Sequence, residues 1–207
     1  VTVLSSTLFG AISGSGVATA SAIGGITIPA MKKSGYPDEF ATAISSISSI
    51  LGPIIPPSIP LIVYASVSTV SVASLFIGSV LPGILLACAI AVYCLIYGRK
   101  HDLPSYRKSS PIEILRAFKN GIWALLMPII ILGGIFGGIF TPTEAAAVSV
   151  AYALFVSGLI YKDLTWKDIP QVFVETSIST ATIMMLVGLS KASSYVVVTS
   201  DRKSTRL

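Results

Sequence analysis

From residue 40 to residue 98 the chain carries no Asp, Glu, Lys or Arg, and this run limits the possible folds more than any other feature. As one helix it would extend roughly 90 Å at about 1.5 Å per residue, about three times a ~30 Å hydrocarbon core, so it must turn back at least once. Residues 1–31 are also uncharged, and residues 120–161 contain only Glu144. Water-soluble folds do not hide runs of that length. The composition agrees, with 53% hydrophobic and 11% charged residues and a mean hydropathy of +0.85. The expectation is an all-α, polytopic membrane protein. A single-pass anchor, a nucleic-acid-binding module and most soluble enzymes are excluded, and lipid is the first partner.

The net charge of +5 sits mainly in one loop. Arg99, Lys100, Arg107, Lys108, Arg116 and Lys119 face only Asp102 and Glu113, and positive-inside bias places this 99–119 loop in the cytoplasm. The shorter charged segments, 32–39 and 162–168, are balanced and orient nothing. Cys88 and Cys94 lie in an apolar run far from any His or acidic group and are expected to pack; His101 is expected to be solvated. Val1 is not a start methionine and no basic segment precedes the first apolar stretch, so a fragment is expected. The abrupt charged tail 201–207 is either a cytoplasmic end or non-native sequence.

Interruptions of the apolar runs carry the functional information. Gly and Pro cluster at Ser13-Gly14-Ser15-Gly16, at Gly52-Pro53-Ile54-Ile55-Pro56-Pro57-Ser58, at Gly133-Gly134 and Gly137-Gly138 followed by Thr141-Pro142-Thr143-Glu144, and at 188–194. A helix is not expected to run through Pro53, Pro56 and Pro57. Lipid cannot satisfy the backbone groups such breaks release, so they belong in packed protein or against a polar cavity. Helices are expected at 1–12, 17–31, 39–51, 59–66, 72–81, 82–98, 121–140, 144–161 and 170–187. Ser110, Pro111 and Glu113 open an amphipathic helix to residue 119. The organisation expected is a first part (1–98) with breaks at 13–16 and 52–58, the basic loop and amphipathic helix (99–119), a second part (120–200) with breaks at 141–144 and 188–194, and the tail.

The two parts share a weak repeat. Ser13-Gly14-Ser15-Gly16-Val17-Ala18-Thr19-Ala20-Ser21 can be laid over Thr141-Pro142-Thr143-Glu144-Ala145-Ala146-Ala147-Val148-Ser149, each preceded by Phe-Gly-small-Ile. Corresponding broken helices in two halves point to the binding site of a secondary transporter. A helix ending in the membrane offers free carbonyls to a cation, and one beginning there offers N–H groups to a carboxylate. Ser13, Ser15, Thr141 and Thr143 are therefore candidate Na+ ligands, with Gly14 and Gly16 allowing close backbone approach. The alternative is that these hydroxyls only cap their own helices. Glu144 is an intramembrane carboxylate, which favours function, but Thr141-Pro142-Thr143-Glu144 also has the form of a capping box, which favours structure. Lys191 either attracts an anion or snorkels to an interface. Asp38 and Glu39 follow Pro37 at a helix start, where the helix dipole accounts for them.

Three separated motifs, in order, carry a family resemblance. They are Ser13-Gly14-Ser15-Gly16-Val17-Ala18-Thr19 continuing to Ile28-Pro29-Ala30-Met31-Lys32-Lys33-Ser34-Gly35-Tyr36, then Gly52-Pro53-Ile54-Ile55-Pro56-Pro57-Ser58, then Gly133-Gly134-Ile135 through Thr141-Pro142-Thr143-Glu144-Ala145-Ala146-Ala147. The chain resembles the middle and later part of the large permease subunit of tripartite ATP-independent periplasmic (TRAP) transporters. That resemblance implies a bacterial or archaeal inner-membrane protein importing carboxylate-bearing solutes, of C4-dicarboxylate or sugar-acid type. Na+ would be the coupling ion and no other cofactor is implied; the partners would be a periplasmic binding protein and a small membrane subunit. It also implies inverted repeats, re-entrant hairpins and an elevator-like movement. Carried onto matching positions, Ser13, Gly14, Ser15, Gly52, Pro53 and Ser58 would form one half of the sodium and substrate region, and Thr141, Pro142, Thr143 and Glu144 the other. The competing classes are another secondary transporter, a membrane-embedded enzyme resting on Glu144 and Lys191, a structural subunit and a pore.

Overall fold

A computed structural model describes residues 1–101 and 110–204, with side chains through residue 199. Residues 102–109 of the basic loop and 205–207 of the tail lie outside the described part, as do the side chains of 200–204. The described elements are the helices α1 (Thr2–Ser13), α2 (Gly16–Lys33), α3 (Asp38–Ser49), α4 (Leu51–Ile54), α5 (Ile59–Val67), α6 (Val72–Lys100), α7 (Pro111–Phe136), α8 (Pro142–Phe155) with a π turn at Val156–Ile160, and α9 (Ile169–Ser204). Four segments are long and apolar enough to cross a membrane: α6, α7, α8 with its π turn, and α9 up to Thr199; the bent pair Asp38–Ile54 and Ile59–Val67 makes a fifth. The described residues are all helix and turn, with interrupted helices, as in a multi-pass membrane protein. It divides into two compact units, Val1–Ala153 and Leu154–Leu207.

In the first unit, α1 stops because Gly14 takes φ 62° and donates its N–H to the Gly10 carbonyl at 2.8 Å, closing the last turn in the left-handed conformation that glycine tolerates. Ser15 then caps α2 by accepting from the Ala18 N–H at 3.3 Å. At 12 residues α1 is about 18 Å long, roughly half a hydrocarbon core. The Thr2 hydroxyl lies 3.5 Å from the Met31 sulfur, so the outer ends of the two arms are side by side. The pair is a helical hairpin whose two open ends lie together.

Which side these ends face follows from the aromatic contacts. Phe40, at the start of α3, stacks on Tyr97 near the end of α6 at 4.2 Å and on Tyr36 at 6.2 Å. Arg99 and Lys100 close the last turn of α6, which marks this end as cytoplasmic. The start of α1, the turn between α2 and α3, and the end of α6 therefore share the cytoplasmic side. Asp38 does more than meet the dipole of α3: it pairs with Lys32 at 2.8 Å across the turn. His101 is exposed but not merely solvated, because its ring stacks on Tyr97 at 4.1 Å and its Nδ1 lies 3.1 Å from the Tyr97 carbonyl.

From there α3, α4 and α5 follow as a pair bent by 41° that is long and apolar enough, taken together, for one span. Pro53 does not break this span where expected, since the turn Leu51–Ile54 contains it. The helix ends at Ser49 and restarts at Leu51, which puts Pro53 in a first turn, where a backbone N–H has no intrahelical partner to lose. The break itself begins at Ile55, ahead of Pro56 and Pro57.

Other expected boundaries also shift. A single helix, α6, runs through Pro82, and α7 runs through the 119–121 boundary and, as expected, through Pro128 and Gly133-Gly134, ending at Phe136. One proline forfeits one hydrogen bond, whereas opening the helix in lipid would unpair several backbone groups, so continuity wins. The same reason removes the expected break at 188–194, because α9 is continuous there. That segment holds one glycine and no proline, and a single glycine costs only about 1 kcal/mol in a helix.

The start of α7 is a capping box, with the Ser110 N–H donating to Glu113 Oε2 at 2.9 Å. It ends at Gly137 and Gly138, the latter at φ 67°, and the Gly134 carbonyl receives the N–H groups of Ile139 and Phe140. Tyr152 donates to the Trp123 carbonyl at 2.8 Å, so α8 returns antiparallel beside α7. Two small cores hold the unit: Val3, Ile44, Leu51 and Ile90, with Cys94 packed against them, and Phe76, Ile135 and Ala145. Cys88, by contrast, is exposed. In the second unit Lys162 takes φ 57°, Ser157 accepts from the N–H groups of Asp163 and Leu164, and no residue in the apolar window of α9 is buried.

Candidate functional site

The hairpin tip and the break in the bent span meet directly. The Ile59 N–H donates to the Gly14 carbonyl at 3.2 Å, and a Cβ on Gly14 would stand 2.8 Å from the Pro57 carbonyl oxygen. The crossing is as tight one turn away. A Cβ on Gly10 would lie 2.8 Å from the Gly52 Cα, and one on Gly52 would lie 2.8 Å from the Ser15 carbonyl oxygen and 2.9 Å from Thr19 Oγ1. Only glycine fits at these positions, so the sequence motif at each is a packing requirement.

The prolines decide the electrostatics. In a helix the carbonyls of Ser49, Gly52 and Pro53 would receive the N–H groups of residues 53, 56 and 57, and all three of those are proline. One of the three carbonyls is repaired: fully buried Ser58 donates to the Pro53 oxygen at 2.6 Å and accepts from the Leu61 N–H at 3.4 Å. On the facing tip, the Ser13 and Thr19 hydroxyls lie 3.3 Å apart, Ser13 Oγ is 3.4 Å from both the N–H and the carbonyl oxygen of Ser15, and Thr19 donates to the Ser15 carbonyl at 2.7 Å. The Ser13 and Thr19 hydroxyls and the Ser15 carbonyl are thus gathered at the tip, where Ser15 and Thr19 meet Gly52 of the break. Such oxygens suit a hard monovalent cation.

A cavity of about 150 Å³ opens beside the cluster, with Ser13, Gly14, Ser58, Phe76, Ile135 and Pro142 among its lining. It joins the first two motifs to the third through Ile135, Pro142 and Ala146. Thr141, Thr143 and Glu144 are exposed and do not line it. Thr141 gives both its N–H and its hydroxyl to Glu144 Oε2 at 2.8 Å and accepts from the Glu144 N–H at 3.3 Å, a closed capping box. The repeat is also offset in space. Ser15 caps α2 and Thr141 caps α8, so the structural match lies two residues from the sequence alignment. The first break is the tip of a helical hairpin and the third a turn between two helices long enough to span.

Sequence reasoning passed over Thr19, which is 1% exposed at the centre of the cluster. Its signal was present: it lies four residues after Ser15, on the same helical face.

The family model for the tripartite ATP-independent periplasmic transporter DctM component matches residues 1–205. The chain belongs to this family of transporter permeases. Among its relatives, the C4-dicarboxylate TRAP transporter large permease of Pseudomonas aeruginosa is 41% identical over 199 residues, which is 96% of this chain and 47% of that protein. The ectoine/5-hydroxyectoine large permease of Ruegeria pomeroyi is 40% identical, covering 92% of this chain and 45% of its own. The sialic acid large permease of Vibrio cholerae is 39% identical, covering 90% and 44%. The chain thus spans a little under half the length of these relatives. The three motifs named from sequence lie within the matched region, and the family is one of transporter components, not of enzymes.

Proposed function

We propose that this chain is part of the permease of a sodium-coupled, binding-protein-dependent importer of carboxylate-bearing solutes, of C4-dicarboxylate or sugar-acid type. The observation that supports it is the direct meeting of the hairpin tip, with its Ser13 and Thr19 hydroxyls, and the proline-rich break at residues 53–58. Ser13, Ser15 and Thr19 supply tip oxygens, Gly14 and Gly52 let the two segments meet, Pro53 presents a carbonyl, and Ser58 fixes the break. Na+ fits such oxygens and leaves a net positive charge beside the cavity, which favours a carboxylate there. Relatives named for C4-dicarboxylates and sialic acid, both anionic, support the solute class. Pro142 closes the cavity from α8, and Glu144 serves the start of that helix. A small membrane subunit and a periplasmic binding protein complete the system, and the hairpin moves with the bent span as a rigid element in an elevator-like cycle.

The experiment is uptake of labelled solute into proteoliposomes holding the full-length permease with its small subunit, the binding protein being added outside. Accumulation driven by an inward sodium gradient, and absent when potassium replaces sodium, is the expected result. Accumulation indifferent to sodium would reject the coupling, and none with any candidate anion would reject the solute class.

A further inference from the structure

About two helical turns below the tip, two buried hydroxyls are left without a hydrogen-bond partner: Ser6 on α1, 1% exposed, and Ser48 on α3, fully buried. Neither follows the habit of serine and threonine elsewhere in these helices. Thr7 donates to the Val3 carbonyl at 2.8 Å, Ser49 to Ser46 at 2.7 Å, and Thr42 to Asp38 at 2.7 Å, each turning back on its own helix.

Packing register sets the two against one another. Val3 and Ile44 belong to one core cluster, and Gly10 meets Gly52 at the closest crossing of the two segments. Ser6 lies between Val3 and Gly10 on the single buried face of α1. Ser48 lies between Ile44 and Gly52 on the buried face of the segment α3–α4. The two segments therefore run parallel, with Ser6 and Ser48 at the same level.

A buried hydroxyl without a partner costs about 1–3 kcal/mol, and two at one level are a site that a small polar molecule can satisfy. We infer that Ser6 and Ser48 bind one ordered water, which accepts from one hydroxyl and donates to the other. That water ties the first arm of the hairpin to the bent span, below the ion cluster and apart from it. Ser45 Oγ, which a Cβ on Gly24 would approach to 3.0 Å, offers a further oxygen on the same face of α3. A cation is disfavoured because these are hydroxyls alone, with none of the proline-freed carbonyls found at the tip. The inference stands or falls independently of sodium coupling.

The test is a structure of the full-length permease in nanodiscs, at a resolution that shows ordered waters, together with a double-mutant cycle. Density within about 2.8 Å of both hydroxyl oxygens is expected. In thermal unfolding, Ser6→Ala and Ser48→Ala should each lower the midpoint, and the double variant should lose less than the sum, because the water is already gone after the first change. Either serine turned back onto its own helix, with the space between them empty, would overturn the inference. So would a direct hydroxyl–hydroxyl bond, density with the coordination of a metal ion, or additive losses in the cycle.

Discussion

Individual residues at the crossing are held by sterics that their neighbours in sequence do not share. Gly14 combines φ 62° with a Pro57 oxygen in the place of a Cβ, whereas Gly25, on the same hairpin, has nothing within 4 Å of its Cβ position. Gly14→Ala should therefore destabilise the full-length permease by more than the ~1–2 kcal/mol of an alanine in the left-handed region, while Gly25→Ala should be neutral or slightly stabilising. Thermal unfolding of the two variants side by side checks this; equal midpoints would contradict it. Ser58→Ala removes the donor to the Pro53 carbonyl and the cap of α5, a buried acceptor left unpaired at about 1–3 kcal/mol. A fall in the midpoint with unchanged membrane insertion is expected. Gly14, Gly52, Pro53 and Ser58 were legible in the sequence because Gly and Pro punctuate an apolar run and nothing else does. Thr19 was not, because a threonine on a helix has no local signal; its role comes from Gly52 reaching it across the crossing.

Elements decide topology, and here sequence and structure part in an instructive way. The ends of α1, α2, α3 and α5 lie close to where residue pattern placed them, since a glycine turn, a proline or a capping serine stands at each. The boundaries at Pro82, at 119–121 and at 188–194 failed, because in lipid the cost of unpaired backbone outweighs the preference of one or two residues. Nor could sequence say which break is a hairpin tip, because that depends on the Thr2 to Met31 contact and the stack of Phe40 on Tyr97. With Cys88 and Cys94 replaced, Ser34→Cys, in the turn after α2, should react with a membrane-impermeant maleimide only from the cytoplasmic face. Thr69→Cys, between α5 and α6, should react only from the opposite face. Labelling of both from one face would contradict the bent span. Phe40→Ala should cost about 0.5–1.5 kcal/mol beyond lost area by removing the stack on Tyr97, read as earlier proteolysis at the turn between α2 and α3.

For the whole molecule, the charge-free run from 40 to 98 resolves into a bent span and one returning helix, and the +5 charge marks the cytoplasmic side on which the hairpin opens. The proposed function rests on the break at Pro53, Pro56 and Pro57 and on the tip hydroxyls of Ser13 and Thr19 that meet it. The central claim is that this meeting of tip and break holds the coupling ion. It is tested most directly by the sodium dependence of solute uptake in proteoliposomes of the full-length permease, compared between the unaltered protein and Ser13→Ala and Thr19→Ala. The account predicts that each substitution raises the half-saturating sodium concentration severalfold while uptake still reaches a plateau at high sodium. A half-saturating concentration unchanged in both variants would place the ion elsewhere and contradict it.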